Sequence, residues 1–189
     1  MNDRLSQTLA LVASIALAAC GGGGDSSSNL AAATPSSHWT MDSHTYVNGG
    51  FSAQSTSTVG GQPITVAVIS TATLAGGDAS NGAYSGGSLS ISFVAHGAGT
   101  YNVVPDTAAL LASDPASNPM VVQSEVGIGV TTGATLYAVS TGQVTVTLDS
   151  DGKYHFDSVG VLPAAKTLDV LGGVTGAPAS MALTVHDAF

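Results

Sequence analysis

Two hydrophobic patterns divide this chain. Near its start, Thr8-Leu9-Ala10-Leu11-Val12-Ala13-Ser14-Ile15-Ala16-Leu17-Ala18-Ala19 is apolar almost without a break, whereas from Trp39 onward apolar and polar positions alternate in short runs. The first run, about a dozen residues, has the length of a secretory hydrophobic region. It is too short to span a hydrocarbon layer of about 30 Å as a helix. Alternation with a period of two marks half-buried strands. Ser88-Leu89-Ser90-Ile91-Ser92-Phe93-Val94 places Leu89, Ile91 and Phe93 on one face. Likewise Val144, Val146 and Leu148 are predicted to face one way, and Met181, Leu183 and Val185 to face inward. Further strands are predicted within 39–41, 45–47, 62–74, 99–104, 121–130, 135–139 and 153–157. Asp42-Ser43-His44 and Asp149-Ser150-Asp151-Gly152 read as turns, and Thr107 to Ala112 as the one short helix. About eight to ten short antiparallel strands in roughly 150 residues predict an all-β fold, a sandwich or a small barrel-like domain. No fixed-period repeat is present, which disfavours a propeller or solenoid.

Composition sharpens this picture. Charged residues are 8% of the chain, against an average of about 25%. Low charge with many Gly, Ser, Thr and Val residues suits a secreted β protein rather than a helical bundle. At 44% hydrophobic content the chain can support a core. The formal net charge is −9, and beyond Arg4 the only cations are Lys153 and Lys166. A chain without basic clusters cannot neutralise phosphates, so nucleic acid is not an expected partner.

The apolar run closes on Leu17-Ala18-Ala19-Cys20, followed by Gly21-Gly22-Gly23-Gly24. This tetrapeptide resembles the lipobox of bacterial lipoproteins, and the cysteine is the only one in the chain. The resemblance implies a signal peptide over residues 1–19 and lipidation of Cys20, which becomes the first residue of the mature protein. It further implies diacylglycerol and usually a third acyl chain, an attachment with more hydrophobic signal than the single chain that binds only marginally. Gly21 after the cysteine fits transfer to the outer membrane in that family, where aspartate favours inner-membrane retention. Ala16-Leu17-Ala18 also offers an ordinary small-x-small cleavage site. With Cys20 lipidated, the mature chain has neither a free thiol nor a disulfide.

Residues 20–37 read as the lipidated cysteine and a Gly/Ser/Ala linker with a reach on the order of 20–25 Å, and residues 38–189 as a single β domain. The layout is similar to small uncharacterised lipoprotein domains of bacterial envelopes. It shares with them a Trp-x-x-Asp-x-x-x-Tyr element (Trp39, Asp42, Tyr46), Gly142-Gln143-Val144-Thr145-Val146-Thr147, and a closing strand ending near Phe189. That likeness implies architecture and carries no functional residues.

Candidate chemistry is sparse. Asp149-Ser150-Asp151-Gly152 resembles the start of a Ca²⁺ loop, but Lys153 stands at position five and Gly160 at position twelve, where a ligand and a bidentate Glu are needed. Asp-Gly between alternating runs already signals a hairpin. Among His38, His44, His96, His155 and His186, a continuous strand would put His38, Thr40, Asp42 and His44 on one face, a spacing that permits metal ligation. A turn at Asp42-Ser43 would break it. Ser85 lacks the Gly-x-Ser-x-Gly context, since Ala83 stands two residues before it. Glu125 is the only glutamate, so a glycosidase pair would need aspartates, and none stands out. Phe189, with Val185, Leu183 and Met181 before it, resembles the closing strand of an outer-membrane barrel, although Asp187 interrupts the alternation. The sequence therefore predicts a non-catalytic, outer-membrane-anchored lipoprotein without a cofactor, held by its N-terminal lipid and binding or supporting an envelope protein or glycan. The alternatives are a metal-binding or hydrolytic β-sandwich and a membrane barrel ending at Phe189. The Gly-rich segments at 76–82 and 172–176 are candidate mobile loops or simple connections between strands.

Overall fold

The computed structural model describes residues 37–49, 51–71, 79–127 and 133–189. The predicted signal peptide, Cys20, nearly all of the predicted linker and residues 76–78 of the 76–82 segment lie outside the described residues. The rest is all-β and antiparallel almost throughout, with one short helix.

Nine strands form a single curled half-barrel sheet. Across it lie β3 (Phe51–Val59), β4 (Gln62–Ser70), β5 (Gly87–Val94), β7 (Pro119–Val126) and β8 (Ala134–Val139). It continues through β11 (Leu162–Val170), β12 (Ser180–His186), β1 (His38–Met41) and β2 (His44–Val47). Three further strands, β6 (Gly99–Val103), β9 (Gln143–Leu148) and β10 (Tyr154–Ser158), pair as a smaller antiparallel unit. Among the described residues, backbone pairing joins that unit to the large sheet twice. At one side β6 runs parallel to β7 over Asn102↔Pro119 and Val103↔Met120. At the other, Phe156 and Ala188 exchange both backbone hydrogen bonds, at 3.2 and 3.1 Å.

Both units bury their apolar alternation in one core. Leu89, Ile91 and Phe93 of β5 are fully buried, as are Val144, Phe156 and Leu183. Phe93 sits edge-to-face with Tyr101, Tyr154 and Phe156 at 5.1–5.5 Å, an arrangement that adds about 0.5–1.5 kcal/mol per pair beyond area burial. The Trp-x-x-Asp-x-x-x-Tyr element is the β1–β2 hairpin: Trp39 and Tyr46 are register partners and their rings stack at 5.3 Å. Asp42, at its turn with φ +52°, accepts the Ala182 amide on Oδ1 and donates its own N–H to the Ala182 carbonyl. All three residues thus have structural tasks, docking the hairpin on β12.

The helix α1 (Thr107–Ala112) follows Pro105 and is capped by Asp106, whose Oδ1 accepts the Ala109 amide at 2.7 Å. It presses Leu110 onto Ile64, Val94 and Val121, forming a second, smaller cluster on the other face of β4, β5 and β7.

Among the described residues twelve strands stand where about eight to ten were predicted; β3 and β11 lie outside the predicted runs. Leu148 is 40% exposed rather than inward, because it is the last residue of β9 before the turn. His38 and His44 fall on opposite faces of the hairpin: His44 pairs with inward-facing Met41, while His38 flanks buried Trp39 on the outward row. The shared face proposed for metal ligation does not form, because Asp42-Ser43 is a turn.

Candidate functional site

The densest chemistry among the described residues is a surface network where β10, β12 and β1 meet. It begins at the β9–β10 turn. Asp149 Oδ1 accepts the amides of Asp151 and Lys153 at 2.8 and 2.9 Å, which makes this segment a turn closed on its own carboxylate. The Lys153 amide first, then the hydrogen bonds from His155 and the Asp151 amide, hold the Asp149 carboxyl below the usual carboxylate range.

Strand alternation then puts His155 and Asp157 on one face of β10. His155 lies between two carboxylates, with Nε2 3.4 Å from Asp149 Oδ2 and Nδ1 3.0 Å from Asp187 Oδ1. The Asp187 contact is an ion-pair approach without hydrogen-bond alignment. Asp157 Oδ1 lies 2.9 Å from His186 Nδ1 and accepts the Asp187 amide at 3.0 Å. His186 is the register partner of His38, and their rings lie 5.2 Å apart. Asp187 itself has φ +44°, a conformation aspartate tolerates better than most residues.

This arrangement ties the end of the chain to β10. The nearby Ser158 hydroxyl does not join the carboxylates: it accepts the Val185 amide at 3.0 Å and donates to the Val185 carbonyl at 3.4 Å. Nor does any group of three or more His, Cys, Asp or Glu among the described residues have a geometry able to hold a metal ion. The two nitrogens of His155 point to different carboxylates, so the ring separates these acids instead of gathering them.

A second polar cluster lies where β2 meets the start of β5. His44 stacks on Tyr84 at 4.4 Å, and the Asn81 amide donates to the Thr45 carbonyl at 3.1 Å. Gly87 has no side chain because the Tyr46 ring occupies that place: a Cβ there would stand 2.9 Å from it. Tyr137 donates its hydroxyl to the Pro178 carbonyl at 2.9 Å, and burial pushes its pKa up to about 12. Burial likewise raises Tyr46, whose hydroxyl has no partner, as has the Trp39 indole N–H. On the neighbouring strand β7, desolvation raises the Glu125 carboxyl. On β11, Asp169 is held low by hydrogen bonds from Thr135 and then Lys166.

Of the residues singled out from sequence, Cys20 lies outside the described residues, and His38 and His44 do not converge. The structure joins His155, Asp157, His186 and Asp187, which sequence reading left separate. Their pattern was visible as His-x-Asp and His-Asp, but it is the fold, through the Phe156↔Ala188 bridge and the Ser158–Val185 hydrogen bonds, that brings the two pairs together. Comparison with known proteins returns no matching family, no matching curated protein and no matching solved structure.

Proposed function

We propose that this chain is a lipid-anchored, non-catalytic module of the bacterial outer membrane that binds or supports another envelope component. The observation that carries the reading is Leu17-Ala18-Ala19-Cys20 at the end of a signal-length apolar run, with the only cysteine of the chain at the lipidation position. Two structural features agree with it. The core is filled by side chains, with Trp39, Ile91, Phe93, Met120 and Tyr137 at 0% exposure, so a partner would be met on outer faces and loops. A membrane barrel has a polar interior and an apolar outer band; here the interior is apolar, and Phe189 packs on Phe156 at 5.3 Å.

Replacing Cys20 by Ala tests the anchor. The wild-type chain is expected to incorporate labelled palmitate and to sediment with outer membranes. Cys20→Ala is expected to lose the label and move to the soluble fraction. A variant that stays with membranes through carbonate extraction would overturn the anchor.

A further inference from the structure

The two outer strands of the curled sheet are finished differently. At β2 the edge is four residues long, and Asn81 occupies the Thr45 carbonyl. At β3 it is nine residues long, paired without interruption to β4 from Phe51↔Ser70 to Val59↔Gln62 and, among the described residues, to no other strand. Natural edges are blunted by charge, proline, bulges or shortness, because open N–H and C=O groups template further pairing. Phe51-Ser52-Ala53-Gln54-Ser55-Thr56-Ser57-Thr58-Val59 has none of these devices.

Hairpin geometry says which groups are open. Gly60 and Gly61 both have positive φ, +57° and +85°, the signature of a two-residue type I′ turn whose flanking residues form a hydrogen-bonded pair. Val59 therefore bonds to Gln62, and by alternation the odd-numbered residues of β3 turn their backbone groups to β4. Ser52, Gln54, Thr56 and Thr58 turn theirs to the open side, and among the described residues none of these groups has a backbone partner. Among the described residues the Gln54 side chain is the one hydrogen-bonded link from β3 to the smaller unit, meeting both the N–H and the carbonyl of Tyr154 at 3.0 and 2.7 Å. It does so without using the Gln54 backbone.

We infer that β3 pairs antiparallel with β3 of a second copy of this chain, about a two-fold axis at Ser55. Charge selects this occupant. The chain carries −9, yet from Ser43 to Pro105 the only acidic or basic side chain apart from histidine is Asp78. Two copies repel over most of their surfaces but meet without like charges along β3. The strand is also self-complementary. Ser52 falls opposite Thr58 of the second copy and Gln54 opposite Thr56, hydrogen-bonded pairs that close roughly eight backbone bonds. Phe51, 40% exposed, falls opposite Val59, an aromatic on a β-branched side chain. A strand edge alone covers less than the roughly 1,000 Å² of a stable interface, so the dimer is weak and concentration-dependent.

The axis makes a positional test possible. Ser55 of two copies would form a non-hydrogen-bonded pair with Cα atoms about 4.5 Å apart, within disulfide range. Ala53 would face Ser57, leaving the two Ala53 residues about 13 Å apart along the strands. The test uses the full chain with Cys20→Ala, so that each introduced thiol is alone, with detergent present if that chain remains in membranes. Under mild oxidation Ser55→Cys is expected to form a covalent dimer at least tenfold faster than Ala53→Cys or Ser57→Cys alone. Mixing the latter two should restore fast cross-linking. Adding Thr56→Lys to Ser55→Cys should slow it at least tenfold, with an unchanged circular dichroism spectrum. Equal rates for all three cysteines would mean random collision, and no cross-link would mean an unpaired edge; either outcome overturns the proposal. The outcome is independent of the anchor, which is read by fractionation.

Discussion

At the scale of single residues, the molecule tolerates a few polar groups that its fold does not fully satisfy. Glu125 is the clearest, because desolvation raises its carboxyl above the ordinary value of about 4.3. Its partners in register are Ser88 and Leu136, and no cation or hydrogen-bond donor offsets the burial. The sign follows from linkage. A carboxyl with a raised folded-state pKa favours folding in its protonated form, so that contribution is present at low pH and lost as pH rises through the folded value. At neutral pH the ionised Glu125 therefore costs stability that a neutral isostere would not. Glu125→Gln is expected to raise the melting temperature at pH 7 by about 1–4 °C, with the gain shrinking towards pH 4. Thermal melts of both proteins from pH 3.5 to 7.5 check this. A melting temperature that falls at neutral pH would show that the carboxylate makes a favourable contact in solution.

At the scale of elements, legibility tracked how cleanly each strand is half-buried. The strands β5, β9 and β12 have one buried and one wetter face, so their alternation appeared directly in sequence. β3 escaped because it is wet on nearly all sides: seven of its nine residues are exposed, and a Ser/Thr run has no apolar period. β11 escaped for a related reason. Its first residues pair between β8 and β12, but after Ala165 it runs past β12, and Lys166 through Val170 are all exposed. The helix α1 was legible in its bounds, from Pro105 and the Asp106 cap, but its task was not. That task is to shield Ile64, Val94 and Val121, residues about thirty to sixty positions apart that only the sheet brings together. Leu110→Ala is expected to remove about 2–4 kcal/mol. In urea unfolding the midpoint should fall with an unchanged slope, as for a packing loss that leaves the folded state compact. A loss under about 0.5 kcal/mol, the range of an ordinary surface substitution, would show that the helix is peripheral.

At the scale of the whole molecule, what completes the architecture is the last turn of chain after β12. Neighbouring strands of the large sheet are held by ladders of up to nine register pairs, but β10 meets β12 only through side chains, Ser158 on the Val185 backbone and Asp157 beside His186, and through one backbone bridge just after β12. Asp187, Ala188 and Phe189 supply that bridge and the contacts around it. Ala188, fully buried, exchanges two backbone bonds with Phe156. Asp187 approaches His155 and donates its amide to Asp157, and the Phe189 ring packs against Phe156. These contacts join positions about thirty residues apart, and they close a seam that the β9–β10 hairpin and β12 cannot close alone. Deleting residues 187–189 should therefore open the molecule locally before it weakens it globally, since the ladders of β4, β5 and β7 share no partner with the tail. With a net bond worth about 1 kcal/mol and an aromatic pair about 0.5–1.5 kcal/mol, the expected loss is about 2–4 kcal/mol. Hydrogen exchange separates the two modes, because local opening exposes amides well below the global unfolding free energy. The Phe156 amide should exchange at least tenfold faster in the truncated chain, while the amides of Leu89 and Ile91 change far less. Equal acceleration at all three sites would mean that the tail belongs to the cooperative core and that the half-barrel does not hold its shape without it.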